Sequence, residues 1–406
     1  MGPQTDGRPV RVDDLNGGTR MMTERGIATL VGNGLSIAFN PELNLQSITE
    51  EVLRRIEKAD GGDVVVAMKE IAERALPDGA TSAEDFEVLV GVFGAESRTL
   101  DVLGTLAVLT KPSDKDLRDA IRRVSTFAKQ IRDTGVSHVL EVIAERSHAY
   151  VTEAQSLYDL ITAITESFDG RVVIGNLNYD TLLLAALLAV CQSDVADMGH
   201  GNRPVNILVH DGVEREVQRL RSSSEDFPGN KRVQLLHIHG SLTYWATQDK
   251  NIYAKLPKEI LNGRDQWRAI REETTNVRPV VVLANRKDKA EHVARYPFSL
   301  AYEMFSGGLA EVDHWLIIGY SFRDDPVNSA LRAKFINRDR KPYVLVVTYG
   351  RELQQRDVER AFGWRAEDGS STSWLTINRG GARGVENTDD WQDFVKRRQP
   401  RRDSTR

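Results

Sequence analysis

The chain has 406 residues, 40% of them apolar and 28% charged, which suits a soluble globular protein with room for a large core. Its net charge of −5 excludes a globally basic nucleic-acid binder. The single cysteine, Cys191, excludes an internal disulfide, a four-cysteine zinc site and a CxxC redox pair. Residues 1–25 are polar and no apolar run reaches about 18 residues, so neither a secretory signal nor a membrane span is expected, and the expected compartment is the cytoplasm.

Residues 1–22 are rich in Gly, Pro, Asp and Arg and read as a disordered tail, with a folded unit expected over 23–395. The first strand is expected at 27–31, running straight into Gly32-Asn33-Gly34-Leu35-Ser36. Two glycines one residue apart let a backbone approach a phosphate at a helix start. As a dinucleotide fingerprint the run is incomplete, because Ile37 stands where the third glycine would fall; a plain tight turn is the alternative. Residues 45–170 then read as mostly helical, with apolar residues at helical spacing over 48–56, 64–75, 83–92, 117–131, 136–144 and 150–168. Breaker-rich connections fall at 76–82 and 110–114. This is too long for a simple crossover and is read as a helical insertion.

A β-branched run at 171–174 predicts a buried strand, and the apolar stretch 181–190, with Cys191 beyond it as a small core residue, predicts a buried helix. Between them lies Gly175-Asn176-Leu177-Asn178-Tyr179-Asp180, a turn carrying two amides, a phenol and a carboxylate. In an open parallel sheet, ligands sit just outside the carboxyl ends of strands, where this turn would lie. A helix cap by Asn176 or Asn178 is the plainer reading.

Residues 198–232 are irregular and polar, with a short strand-like stretch at 204–209. The strand at 235–238 ends on His239-Gly240. His237 and His239 share one strand face, so a metal pair is conceivable. No third ligand stands nearby at suitable spacing, and a single working imidazole at His239 is preferred over both the metal and a structural histidine. A further strand is expected at 279–284, a charged loop at 285–292 and a helix near 299–309. A strand at 315–318 follows and ends on Gly319-Tyr320-Ser321. A helix at 327–335, a strand at 343–348 and a short strand at 374–378 close the pattern. The last eleven residues, 396–406, hold six Lys or Arg and one Asp and read as a frayed basic tail.

Strands alternating with helices predict an α/β fold, a doubly wound, Rossmann-like parallel sheet with a large, mostly helical insertion. Four strand ends carry small or polar residues: 32–36, 175–180, 239–240 and 319–321. Their convergence on one sheet edge points to a nucleotide pocket.

These motifs together resemble the sirtuin superfamily, in particular the sirtuin-like, NAD-hydrolysing proteins of bacterial anti-phage defence. Gly32-Asn33-Gly34-Leu35-Ser36 is similar to the family's GAGxS loop, and Asn178-Tyr179-Asp180 to the end of its T-x-N-Y-D motif. His239-Gly240 resembles the catalytic H-G, and Ile318-Gly319-Tyr320-Ser321-Phe322 the late GYSF segment of the defence branch. Three features depart from the sirtuin deacylases. The four zinc cysteines are missing, residues 37–45 contain no Ile-Pro-Asp triplet, and Asn176 replaces the usual threonine. The first two argue against protein deacylation.

The resemblance implies an NAD hydrolase that releases nicotinamide and ADP-ribose with no metal. His239 would act as general base, and Asn178 would bond the ribose hydroxyls and position water. Asp180 would orient the loop or stabilise positive charge. Gly32, Gly34 and Ser36 would cradle the pyrophosphate, with Gly319 and Ser321 on the adenosine side. Asn33, Asn176 and Tyr320 lie in the same turns and complete the nucleotide-contacting set. The alternatives are a non-catalytic NAD or ADP-ribose sensor and an ADP-ribosyl or acyl transferase. The resemblance further implies a homo-oligomer, or a partner such as a HerA-like ATPase or another defence-system protein, contacting the insertion. Nucleic acid would be met only through the basic tail.

Overall fold

The computed structural model describes residues 24–75, 102–111, 113–149, 154–210, 212–283 and 286–397. From β1 (Ile27–Val31) the chain enters α1 (Asn33–Phe39), α2 (Leu45–Asp60) and α3 (Gly62–Ala75). It continues through α4, described over residues 102–110, to α5 (Lys115–Ala149) and α6 (Ala154–Ser167). The sheet resumes in β2 (Val172–Asn176), followed by α7 (Leu182–Cys191) and β3 (Val195–Asp197). The middle of the chain carries β4 (Pro204–Leu208), β5 (Glu214–Arg219), β6 (Val233–His237), β7 (Gly240–Thr247) and β8 (Tyr253–Lys255). Then come α8 (Lys258–Leu261), α9 (Arg264–Arg271), β9 (Val277–Val281), α10 (Arg286–Val293) and α11 (Phe298–Glu311). The last stretch holds β10 (His314–Ile318), α12 (Asp325–Ile336), β11 (Tyr343–Val347), α13 (Gln355–Phe362), β12 (Leu375–Asn378) and α14 (Asp389–Lys396).

Seven strands form one parallel sheet in the order β12-β11-β10-β1-β2-β6-β3. The continuous apolar runs of β1, β2 and β10 are buried at every position, as a sheet covered on both faces requires. Side chains alternate between the two faces. Ile27, Val31, Val172 and Ile174 pack with Leu157 and Ile161 of α6, Leu183 and Leu187 of α7, and Phe394 of α14. Ala28, Leu30, Val173 and Ile317 pack with Met304 and Phe305 of α11, Leu331 of α12 and Phe362 of α13. The molecule is a Rossmann-like α/β fold with a helical insertion between β1 and β2.

The structure corrects three expectations. The stretch expected as another parallel strand at 279–284 is β9, which pairs antiparallel with β7. It belongs to a second, five-stranded antiparallel sheet, β4-β5-β8-β7-β9, and the strand-like stretch near 204–209 is its edge strand β4. Apolar pattern carries no strand direction, so it could not separate the two sheets. The expected charged loop at 285–292 is mostly helix α10. The segments 117–131 and 136–144 are one helix, α5, which runs through Gly135. The expected 1–22 tail, the 76–82 connection and the 83–92 helix lie outside the described residues, as does the expected 396–406 tail beyond Lys396, which ends α14, and Arg397, which caps it.

The insertion is held to α9 by charge. Glu141 on α5, nearly fully buried, faces Arg271 of α9 at 3.0 Å and Arg55 of α2 at 3.3 Å. Burial pushes the Glu141 carboxyl up, but the bond from His138 and the two guanidinium charges outweigh it and hold it below the ordinary value.

The turns after β1 and β10 pack backbone against backbone. Gly34 donates its N–H to the Gly319 carbonyl at 2.9 Å, and Gly32 donates to Ile318 at 2.9 Å. A Cβ on Gly319 would lie 2.4 Å from the Leu35 nitrogen, and the residue sits at φ +62°. Gly319→Ala is therefore expected to lower stability by about 2 kcal/mol or more, read as a fall in the urea midpoint. An unchanged midpoint would contradict this packing.

Candidate active site

The four strand ends singled out in the sequence lie on adjacent strands, β10-β1-β2-β6, at one edge of the parallel sheet. Register confirms the alignment: Val31 pairs with Ile318 and with Asn176, and Asn176 with His237. Each strand therefore ends at the same level.

At the β1 exit the glycines pack against the turn after β10. The N–H groups of Gly32, Gly34 and Leu35 are all engaged within the protein, to Ile318, Gly319 and Gly32 respectively. A Cβ at Gly34 would sit 2.6 Å from the Gly319 Cα. Contact with the neighbouring turn already requires the side chains to be missing. Asn33 begins α1 and is half-buried.

Ser36, on the first turns of α1, joins this loop to the one after β2. Its hydroxyl donates to Asp180 Oδ2 at 2.6 Å and accepts from Asn178 Nδ2 at 2.9 Å. Asn178 Nδ2 also reaches the Gly32 carbonyl at 3.0 Å. The second Asp180 oxygen accepts from the Leu182 N–H at 3.0 Å and so starts α7. Asn176, fully buried, accepts from the Asn178 N–H at 3.1 Å and sets its amide against His237 Nδ1 at 3.3 Å. The Tyr179 hydroxyl donates to the Val282 carbonyl at 2.8 Å, tying the loop to the second sheet. Burial pushes the Asp180 carboxyl up, only partly offset by Ser36 and the Leu182 amide.

His239 follows β6 and is 3% exposed. Its Nε2 lies 3.4 Å from the Tyr302 hydroxyl of α11 and 3.5 Å from Asp324 Oδ2. Lys289 of α10 reaches that same oxygen at 2.7 Å. Asp324 Oδ1 accepts from the Val327 N–H at 3.0 Å and caps α12. Burial pushes the Asp324 carboxyl up, but the His239 and Lys289 charges hold it below its ordinary value. Gly240, at φ +86°, then turns the chain into β7, where a Cβ would meet the Val280 carbonyl at 2.2 Å.

His237 does not join His239. It points against Asn176 and Tyr244, and burial pushes its imidazole down to about 4. Among the described residues, no group of three or more His, Cys, Asp or Glu could hold a metal ion. At the β10 exit, Tyr320 braces its own turn by donating to Asn328 Oδ1 at 2.9 Å, while Ser321 is exposed. Cys191 is half-buried at the end of α7. A cavity of about 490 Å³ lies among α2, α3, α5 and α9 and shares no lining residue with the strand ends.

The structure thus joins Ser36, Asn176, Asn178 and Asp180 in one hydrogen-bonded network, with His239 on the next strand. It also brings in Tyr302, Asp324 and Lys289, which the sequence reading missed. In the sequence Asp324 is one of the polar residues after Gly319, and Lys289 is one charge in a charged run.

Residues 172–368 match the family model for the SIR2-like domain. That stretch carries a SIR2-like domain, of the kind that uses NAD, and the match supports a sirtuin-like superfamily assignment. The matched segment includes the loop after β2, His239 and the turn before α12; the Gly32–Ser36 loop and the insertion precede it. No curated protein matches the chain. Among the described residues no helix is long and apolar enough to cross a membrane.

Ser36 is the joint of the network, and its removal strips a partner from both Asn178 and Asp180. Ser36→Ala is expected to cost about 1–3 kcal/mol of stability. Because the Asp180 carboxyl is raised, the folded state holds a proton that the unfolded chain has released, and this contribution falls as pH rises. Losing the serine raises that carboxyl further, so the loss should be larger near about pH 8 than near about pH 5. Urea unfolding at both pH values checks this; an equal loss would contradict the assignment.

Proposed function

We propose that the protein hydrolyses NAD to nicotinamide and ADP-ribose. The observation that carries the reading is the His239 imidazole, set beside the buried Asp324 carboxylate on the same sheet edge as Asn178 and Ser36. Amides and a hydroxyl suit ribose hydroxyls, and an imidazole paired with a carboxylate suits a proton that must move near neutral pH.

Nicotinamide leaves NAD as a neutral molecule, and its loss generates an oxocarbenium-like ribose that water must capture. His239 takes the proton of that water as the C–O bond forms, and later releases it to solvent. Asn178 holds the ribose hydroxyls and so fixes the sugar against the imidazole. Asp180 serves the loop: its carboxyl, pushed up by burial, positions Ser36 and α7 through its two oxygens. Asn178 is 6% exposed and His239 3%, so nucleotide entry requires the segments that cover them to move.

The biological setting we propose is NAD depletion in anti-phage defence, acting as a homo-oligomer or with a partner such as a HerA-like ATPase. Exposed apolar side chains on the insertion, including Val102 and Leu109 of α4 and Phe127 of α5, support that region as the contact surface.

Chromatography of NAD incubated with the protein should show nicotinamide and ADP-ribose in equal amounts. His239→Ala should slow release by about 10²–10⁴-fold, with ADP-ribose binding by calorimetry retained. Turnover at the wild-type rate in that variant would refute the mechanism.

A further inference from the structure

Asp324 does more than an N-cap requires. Capping α12 needs one acceptor, and Oδ1 supplies it to the Val327 N–H at 3.0 Å. A serine or asparagine would serve as well. The other oxygen, Oδ2, is turned toward His239 Nε2 at 3.5 Å and Lys289 Nζ at 2.7 Å. The turn that presents it is held firmly: Tyr320 donates to the Asp324 carbonyl at 3.1 Å, Asn328 Nδ2 to the Phe322 carbonyl at 2.8 Å, and Phe322 sits at φ +59°. A left-handed, non-glycine residue costs energy and persists only where its surroundings impose it.

We propose that Asp324 is a positioning residue for His239, and that Lys289 shares the same carboxylate oxygen and limits its hold on the imidazole. The inference rests on the reading of His239 as the proton-accepting group. The carboxylate orients the ring and stabilises its protonated form, as a buried opposite charge does. The Lys289 ammonium opposes that stabilisation from α10. Among the described residues, the other titratable groups near this cluster are the Tyr302 hydroxyl of α11, the Tyr320 hydroxyl behind Asp324 and, turned away from it toward Asn176, His237 two residues earlier on β6. Burial pushes both tyrosines well above their ordinary value and His237 down to about 4, so all three are neutral near pH 7. Among the described residues, Asp324 and Lys289 are the charges this geometry places at the His239 imidazole.

The two partners act in opposite senses, which separates this role from a merely structural one. In Asp324→Asn the amide still caps α12, but the attraction is gone and the Lys289 charge remains; the His239 pKa should fall by about 1–3 pH units. In Lys289→Met the carboxylate acts on the imidazole alone, and the His239 pKa should rise by about 1 pH unit. The experiment is a nuclear magnetic resonance titration of histidine ring signals in the full chain, with His239 assigned by its loss in His239→Gln. The acid limb of NAD hydrolysis should move the same way in each variant. Identical titration in all three proteins, or shifts of one sign in both variants, would overturn the proposal. Should Asp324→Asn not fold, the Lys289→Met shift decides alone. Opposite shifts in a protein that releases no nicotinamide would uphold the pair and refute the hydrolysis reading; release with an unmoved titration would do the reverse.

Discussion

The contact on which the site depends has no side chains in it. Gly32 and Gly34 after β1 lie directly against Gly319 after β10, close enough that a methyl group on any of them would strike backbone. Two turns that would otherwise be held apart by a residue's width are thereby locked at one level. On one side this puts Ser36 within reach of Asn178 and Asp180 on the loop after β2. On the other it starts the turn that delivers Asp324 to His239. A pattern of small residues that looks made for a ligand is explained first by the protein's need to bring its own loops together.

The two buried carboxylates at this edge have opposite surroundings. Asp180 meets a hydroxyl and a backbone amide and, among the described residues, no cation that offsets its burial, which raises it. Asp324, less completely buried, meets Lys289 and His239, and their charges hold it down against the burial that remains. Pairs of titratable groups driven apart by environment mark the division of roles in many active sites. Here Asp180 organises the loop while Asp324 remains ionised beside the imidazole. The protein thereby separates shaping the pocket from managing its charge.

Much of this was legible in the sequence, and for identifiable reasons. β1 was read to the residue, because a buried parallel strand is a continuous apolar run with a glycine at its end. The β2 exit was legible as polar residues placed between two strongly apolar elements. The antiparallel sheet was not: β4 and β9 stand out as strand-like stretches, but an apolar pattern carries no strand direction, and β5 is mostly exposed with no apolar run. β7, buried along nearly its whole length, is absent from the sequence-based expectation, because the reversal at Gly240 depends on a positive φ that no periodicity reveals. His239 stood out through the glycine beside it. Asp324 and Lys289 did not, since their meeting depends on how α10 and α12 pack, and each has an ordinary local reading as a cap or a surface charge.

The account's central claim is that four strand ends form a single nucleotide site. Amide hydrogen exchange, followed with and without ADP-ribose, tests it most directly. The account predicts slowed exchange in residues 32–36, 176–182, 237–241 and 319–324 together. Protection confined to α2, α3, α5 and α9, around the separate cavity, with those four segments unchanged, would contradict it.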